Sequence, residues 1–126
     1  MLDSFKKIGE YRPNRDGAEY IEFIGRAKSK VMPIVYLFVI ADQIVYIGET
    51  RRGYSRPLSY HNNEVMGRQR EGIAEANKRD QTVEVYAIEV PNISVEFNGE
   101  NFFCYVAQDY EKFLIEKHNP LWNGRK

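Results

Sequence analysis

The sequence predicts an α+β domain, and three observations carry that expectation. Two β-rich runs, residues 33–40 (PIVYLFVI) and 43–48 (QIVYIG), are separated only by Ala41-Asp42. A third run, residues 82–90, alternates polar and apolar side chains, as a strand with one solvated face does. Between residues 102 and 118, Phe103, Val106, Tyr110, Phe113 and Leu114 recur at helical spacing, which marks a helix with one buried stripe. A chain of 126 residues suffices for one core and is too short for two.

In chain order, residues 1–32 read as an N-terminal accessory arm. Pro13-Asn14-Arg15-Asp16-Gly17 is a turn cluster, and Asp16 caps a short helix to about Lys28 with Ala18, Ile21 and Ile24 on one side. Residues 33–126 read as one globular unit. It begins with the hairpin around Ala41-Asp42, a weaker turn dipeptide than Asn-Gly. Residues 51–55 form a loop. Pro57 suits a helix's first turn, where a missing N–H costs nothing, and a helical stretch runs toward Lys78, interrupted by Gly67 and Gly72. Pro91 ends the strand at 82–90, Asn98-Gly99 marks a turn, and Pro120 stops the last helix, leaving Leu121-Trp122-Asn123 beyond it. The chain contains no internal repeat and no linker.

Composition excludes several classes. One cysteine rules out an intramolecular disulfide framework and a four-cysteine zinc site. The longest strongly apolar run, residues 34–41, has eight residues against the roughly 20 a membrane helix needs. The sequence MLDSFKKIGEYR has no apolar h-region, so a cytoplasmic protein is expected. The 18 Lys+Arg and 18 Asp+Glu cancel, but they are unevenly spread. Residues 51–79 hold seven basic residues (Arg51, Arg52, Arg56, Arg68, Arg70, Lys78, Arg79) against three acidic ones, whereas residues 80–116 hold eight acidic residues and only Lys112. Residues 1–30 add seven cations against five acids. On one face, the first and second of these basic segments would track a phosphate backbone; the blander reading is a solvated helix side.

Chemistry-bearing residues fall in a definite pattern. Tyr36 and Tyr46 lie on the two runs of the hairpin, Arg56 follows Tyr46 by ten residues, and Tyr60 comes one helical turn later. Glu111 lies on the last helix, with Asn123 twelve residues on in Asn119-Pro-Leu-Trp-Asn123. Over residues 33–123 this arrangement resembles the GIY-YIG nuclease family, especially its excision-repair branch. The second half of the family's name motif stands intact as VYIGET. YIG alone is weak; YIG with the spaced Arg, Glu and Asn is a specific combination. Ile34 stands where the first motif has Gly, and Glu49 follows Tyr46-Ile-Gly48 where relatives often carry a small or basic residue.

The resemblance implies a small three-stranded antiparallel sheet flanked by helices, and an endonuclease that hydrolyses DNA phosphodiesters with a divalent metal, Mg2+ or Mn2+. Phosphodiester hydrolysis needs an activated water, a cation facing the developing charge, and help for the leaving oxygen. Glu111 is the expected metal ligand, supplying one carboxylate to a hard cation. Arg56 is the phosphate clamp, a planar fork of permanent charge. Tyr36 is favoured as base or proton relay with Tyr46 as its orienting partner, Tyr60 contacts a phosphate oxygen or the water, and Asn123 braces the site. Arg51, Arg52, His61, Arg68, Arg70, Lys78 and Arg79 are expected along the DNA. A homodimer is a further expectation. The reading from another class is an inactive nucleic-acid-binding or protein-interaction module that retains the fold.

Taken singly, each residue has a plainer reading. Most of the nine tyrosines pack in half-buried positions, Glu111 alone is a solvated helix carboxylate, and Arg56 alone is a surface charge. Cys104 is expected as a buried small apolar residue, His118 as a cation at a helix end, and Trp122 as an anchor on the core.

Overall fold

A computed structural model describes residues 2–13, 21–25, 31–60 and 67–124. Strands β1 (Lys6–Pro13), β2 (Ile21–Gly25), β3 (Ile34–Ile40), β4 (Gln43–Thr50) and β5 (Val83–Glu89) form one antiparallel sheet in the order β2-β1-β5-β3-β4. A separate two-stranded ribbon pairs β6 (Ile93–Phe97) with β7 (Glu100–Cys104). Helices α1 (Arg68–Lys78) and α2 (Val106–His118) complete the α+β fold.

β3 is apolar at every position and buried on both sides, because its alternate side chains feed two cores. Ile34, Tyr36 and Phe38 join Tyr11, Tyr60, Ile73, Val83 and Val85 on one face of the sheet, where α1 packs. Val35, Leu37 and Val39 join Ile47, Ala107 and Leu114 on the other, where α2 packs. The β3–β4 turn is the expected two-residue one, with positive φ at both Ala41 (50°) and Asp42 (65°), as a type I′ hairpin requires. The pairing slips between Phe38 and Val39, where Phe38 opposes Tyr46 and Val39 opposes Ile44. That bulge sends both Val45 and Tyr46 to the α1 face.

The expected β5–β3–β4 trio is three strands of a wider, five-stranded sheet. Residues 1–32, expected as an accessory arm, contribute β1 and β2, and β1 lies against β5 with Tyr11 wholly buried. The helix expected up to Lys28 is corrected over Ile21–Gly25, which pairs with β1 from Gly9↔Gly25 to Pro13↔Ile21; the remainder of that expectation lies outside the described residues. Ile21 and Ile24 fit a helical spacing, yet Ile21-Glu22-Phe23 also alternates, and β1 offers it a ladder.

Two further helical expectations are corrected. Residues 53–60 form a 3-10 turn at Gly53–Ser55 followed by turns, not the start of a helix at Pro57. The Pro57 carbonyl, which a helix would pair within itself, accepts the Tyr11 hydroxyl at 2.6 Å instead. The last helix starts at Val106 rather than near Phe102, because Asn98 and Gly99 both take positive φ and close the β6–β7 hairpin. Phe103 is therefore 74% exposed on β7 instead of lying in a buried stripe, and Cys104 is exposed, not buried. Asn119 caps α2 in the left-handed conformation at φ 47°, its N–H bonded to the Ile115 carbonyl.

Candidate active site

Tyr36 sits opposite Gly48 in the β3–β4 pairing. A methyl group at position 48 would come within 2.6 Å of Tyr36 Cζ, 2.7 Å of its hydroxyl oxygen and 2.9 Å of the Tyr46 ring. The glycine of Tyr46-Ile-Gly48 thus opens the space into which both tyrosines lean. Their ring centroids are 6.0 Å apart and tilted, and Phe38 stands within 5.7 Å of Tyr36, 5.5 Å of Tyr46 and 5.6 Å of Tyr60. Tyr36 is 2% exposed and Tyr60 is wholly buried, whereas Tyr46 keeps an accessible side. The Tyr60 hydroxyl closes no well-aligned hydrogen bond among the described residues.

Arg56 reaches this cluster from the segment after β4. Its guanidinium carbon lies 5.2 Å from the centre of the Tyr60 ring, and the side chain is otherwise exposed. Burial pushes the Tyr36 hydroxyl far above the ordinary phenol range, neighbouring Tyr46 and Tyr60 push it further, and Arg56 opposes them. Burial also raises Tyr46, and Tyr60 adds to it; hydrogen bonding with Gln69 of α1 and with Tyr36 draws it back, while the charge of Glu111 raises it. Tyr36, Tyr46, Tyr60, Arg56 and Glu111 therefore occupy one electrostatic neighbourhood.

Glu111 gets there through helix geometry. It lies four residues after Ala107 and three before Leu114, both buried against the sheet, so it shares their side of α2. Its carboxyl is pushed up to about 7, first by burial and then by the Glu49 carboxylate, with the Glu49 main-chain N–H partly restoring the charged form. Glu49 is itself held by the Tyr105 hydroxyl, which donates to it. The Arg51 guanidinium carbon sits 3.9 Å above the Tyr105 ring. Among the described residues no group of three or more His, Cys, Asp or Glu gathers to hold a metal. Two neighbouring carboxylates, one of them half-buried, are nonetheless a donor pair whose repulsion a divalent cation would relieve.

Asn123 lies behind β4. Its Oδ1 accepts the Ile47 N–H at 3.0 Å and its Nδ2 donates to the Ile47 carbonyl at 2.9 Å. Trp122 anchors on Phe38, 6.3 Å away edge-on, and lies so close to α1 that a methyl at Gly72 would meet the indole at 2.8 Å.

The residues expected along DNA divide. Arg51 and Arg52 are exposed beside the site, with the Arg52 N–H bonded to Thr50 Oγ1. Arg68 lies next to Gly124, at the end of α1 that also brings Gln69 to Tyr46. Arg70 follows on the same turn of α1. Lys78 and Arg79 lie at the other end of α1, about 15 Å along an 11-residue helix, and Arg79 pairs with Glu75 at 3.4 Å. His61 lies outside the described residues. Tyr11, Gln69 and Tyr105 have no role in the sequence expectations. Tyrosine is abundant, and none of the three carries a spacing that distinguishes it.

No protein-family model matches the chain, and no curated protein sequence matches it. Among solved structures, a mutant of bacteriophage T4 EndoII matches with a TM-score of 0.75 and 24% identity, covering 96% of this chain and 92% of its own. The restriction endonuclease HPY188I in complex with product DNA matches with a TM-score of 0.53 and 19% identity, covering 99% of this chain and 83% of its own. No described helix is long and apolar enough to cross a membrane. The chain has the α+β fold of these two structures, and Tyr36, Tyr46, Tyr60, Arg56 and Glu111 share one neighbourhood beside its β3–β4 hairpin.

Proposed function

We propose that this protein is a divalent-metal-dependent DNA endonuclease of the GIY-YIG type. The observation that carries the reading is the pairing of Tyr36 and Tyr46 over Gly48, with Tyr60, Arg56 and Glu111 in their electrostatic neighbourhood. Its fold is shared with EndoII and with a restriction endonuclease bound to product DNA. Glu111, with Glu49 beside it, would hold Mg2+ or Mn2+. The ion would lower the pKa of a bound water and offset charge on the phosphate.

The side chains divide the remaining work. Arg56, exposed and permanently charged, grips a phosphate oxygen and meets the charge that grows in the transition state. Tyr46 has an accessible side and faces the water, while Tyr36, sealed behind it, orients Tyr46. The difference in burial favours this order over the one expected from sequence, with Tyr36 foremost. Burial keeps both phenols neutral, so Tyr46 works by giving its proton to a phosphate oxygen as it accepts the proton of the water, rather than as a phenolate. Tyr60 offers its hydroxyl to the same centre, and Asn123 holds the β4 backbone that carries Tyr46. Arg51, Arg52, Arg68 and Arg70 follow the flanking phosphates. Each chain carries one site, so a homodimer would set two sites against the two strands of a duplex. A DNA substrate and an exposed free thiol favour the reducing cytoplasm as its compartment.

Plasmid nicking tests the reading. Wild type and Glu111→Ala are compared in Mg2+, in Mn2+ and in chelator, with circular dichroism establishing that both are folded. Metal-dependent nicking by wild type, lost in the variant, is expected. Salt-sensitive DNA binding without nicking by a folded wild type would overturn it in favour of a binding module.

A further inference from the structure

Tyr11 lies on β1, outside the stretch that carries the site residues, yet its hydroxyl makes two buried hydrogen bonds to the segment bearing Arg56 and Tyr60. It donates to the Pro57 carbonyl at 2.6 Å and accepts the Tyr60 N–H at 3.1 Å. The ring is wholly buried and packs edge-on against Phe38 at 6.1 Å, the same phenylalanine that the three site tyrosines surround. The two bonded groups flank the short stretch from Pro57 to Tyr60. Arg56 precedes it immediately and ends the Gly53–Ser55 turn, its N–H on the Gly53 carbonyl. The segment has no helix to fix it: Gly53–Ser55 is a 3-10 turn and the described residues after it are turns. Its remaining local bonds include long main-chain ones, Arg56 N–H to the Gly53 carbonyl and Ser59 N–H to the Arg56 carbonyl, both 3.4 Å, and the Ser59 hydroxyl on the Arg56 carbonyl at 2.8 Å. The Tyr54 hydroxyl ties the turn before Arg56 to Glu89 at 2.7 Å, and Tyr11 supplies the tertiary tie after it, to the Pro57–Tyr60 main chain. The tie itself rests on a firm base, since β1 is locked between β2 and β5.

We propose that Tyr11 is a positioning residue for the nuclease reaction, its single hydroxyl fixing the Pro57–Tyr60 backbone so that Arg56 meets the phosphate in register. This rests on the endonuclease reading above. A clamp that is misplaced by a fraction of its length loses transition-state contact while an ensemble of looser phosphate contacts still binds DNA. Loss of Tyr11's hydroxyl should therefore act on the chemical step and not on affinity.

The test is Tyr11→Phe, which keeps the ring and its packing. Single-turnover nicking of supercoiled plasmid at saturating protein is measured beside plasmid affinity, well below the melting temperature of every variant. The expected result is a rate loss of roughly tenfold or more with affinity changed by less than about twofold. In Arg56→Ala, adding Tyr11→Phe should cost nothing further, because both changes disable one contact. Val39→Ala, in the core on the opposite face of the sheet, serves as a variant of comparable destabilisation and should nick at the wild-type rate. If Tyr11→Phe unfolds, trimethylamine N-oxide restores the fold by favouring burial; full recovery of nicking with recovered dichroism would overturn the proposal. So would a wild-type rate in folded Tyr11→Phe, or losses that multiply in the double variant. A folded wild type that nicks nothing would overturn the endonuclease reading and this inference with it, whereas nicking by wild type and Tyr11→Phe alike overturns this inference alone.

Discussion

Asn123 holds Ile47 by both of its main-chain polar groups, accepting the N–H at 3.0 Å and donating to the carbonyl at 2.9 Å. β4 is an edge strand, so groups on its outer side have no strand to pair with, and the amide of Asn123 serves as one residue's worth of partner. The residue so fixed stands between Tyr46 and Gly48. Asn123→Ala should lower stability by roughly 1–3 kcal/mol, because it leaves a half-buried N–H and carbonyl without partners. Asn123→Asp should be worse, since a carboxylate replaces the donor and faces the Ile47 carbonyl. Thermal melts rank the three proteins. Equal melting of all three would show that water replaces the amide at no cost.

The Arg56 guanidinium is tied to the protein by its ring contact with Tyr60 at 5.2 Å. Arg56→Ala should accordingly cost under about 1 kcal/mol of stability while lowering nicking at least about a hundredfold. Arg56→Lys should fall between, because a point charge keeps the attraction and loses the fork. A melting point far below wild type for Arg56→Ala would instead give Arg56 a structural part.

The β3–β4 turn places Ala41 and Asp42 at positive φ, where a Cβ costs roughly 1 kcal/mol or more per residue. Exchanging the pair for the favoured Asn-Gly dipeptide, through A41N and D42G together, should stabilise the protein by about 1 kcal/mol and raise its melting temperature by roughly 3–6 °C. The turn lies at the other end of β3 from Tyr36, so nicking should stay unchanged. A lower melting temperature would mean the turn is not of the mirror-image type.

The hairpin, β5 and the Tyr–Arg–Glu–Asn spacing are legible in sequence for different reasons. β3 is apolar throughout because it serves two cores, and β5 alternates because Val83, Val85 and Ala87 are buried in one core while Glu84, Tyr86 and Ile88 are only half-covered on the other face. β1 escapes notice because KKIGEYRP is dominated by charge, and the charges are matched only in three dimensions: Lys7 bonds Glu10 at 2.7 Å and Glu84 at 3.1 Å, and Arg12 pairs with Glu10. Tyr11 is hidden within that strand. Phe103 misleads by fitting a helical stripe that the Asn98-Gly99 turn pre-empts. Lys78 and Arg79 share a helix with Arg68, but a sequence does not show which end of that helix faces the tyrosines. Glu49 stands in the sequence only as an acidic departure after Tyr46-Ile-Gly48, and the fold reveals Tyr105 as its hydrogen-bond donor.

The last expectation concerns pH. The Glu111 carboxyl is raised to about 7 by burial first and by Glu49 second, whereas in the unfolded chain it titrates near the ordinary glutamate value of about 4.3. A raised carboxyl stabilises the fold while it is protonated, so this contribution is complete below the unfolded value and is lost as pH climbs through about 7. Metal-free protein should therefore melt at progressively lower temperature from about pH 5 to pH 8, with the slope reduced in Glu111→Gln. Excess Mg2+ should flatten the same slope, because a bound cation favours the ionised carboxylate. Nicking at limiting Mg2+ should rise with pH over the same window. In the metal-free protein, Glu49→Gln should make the fall in melting temperature smaller and end it at lower pH, by removing the second cause while leaving burial in place. Thermal melts with and without Mg2+, set beside the nicking profiles, check each part. A pH slope that survives unaltered in Glu111→Gln would assign it to another group.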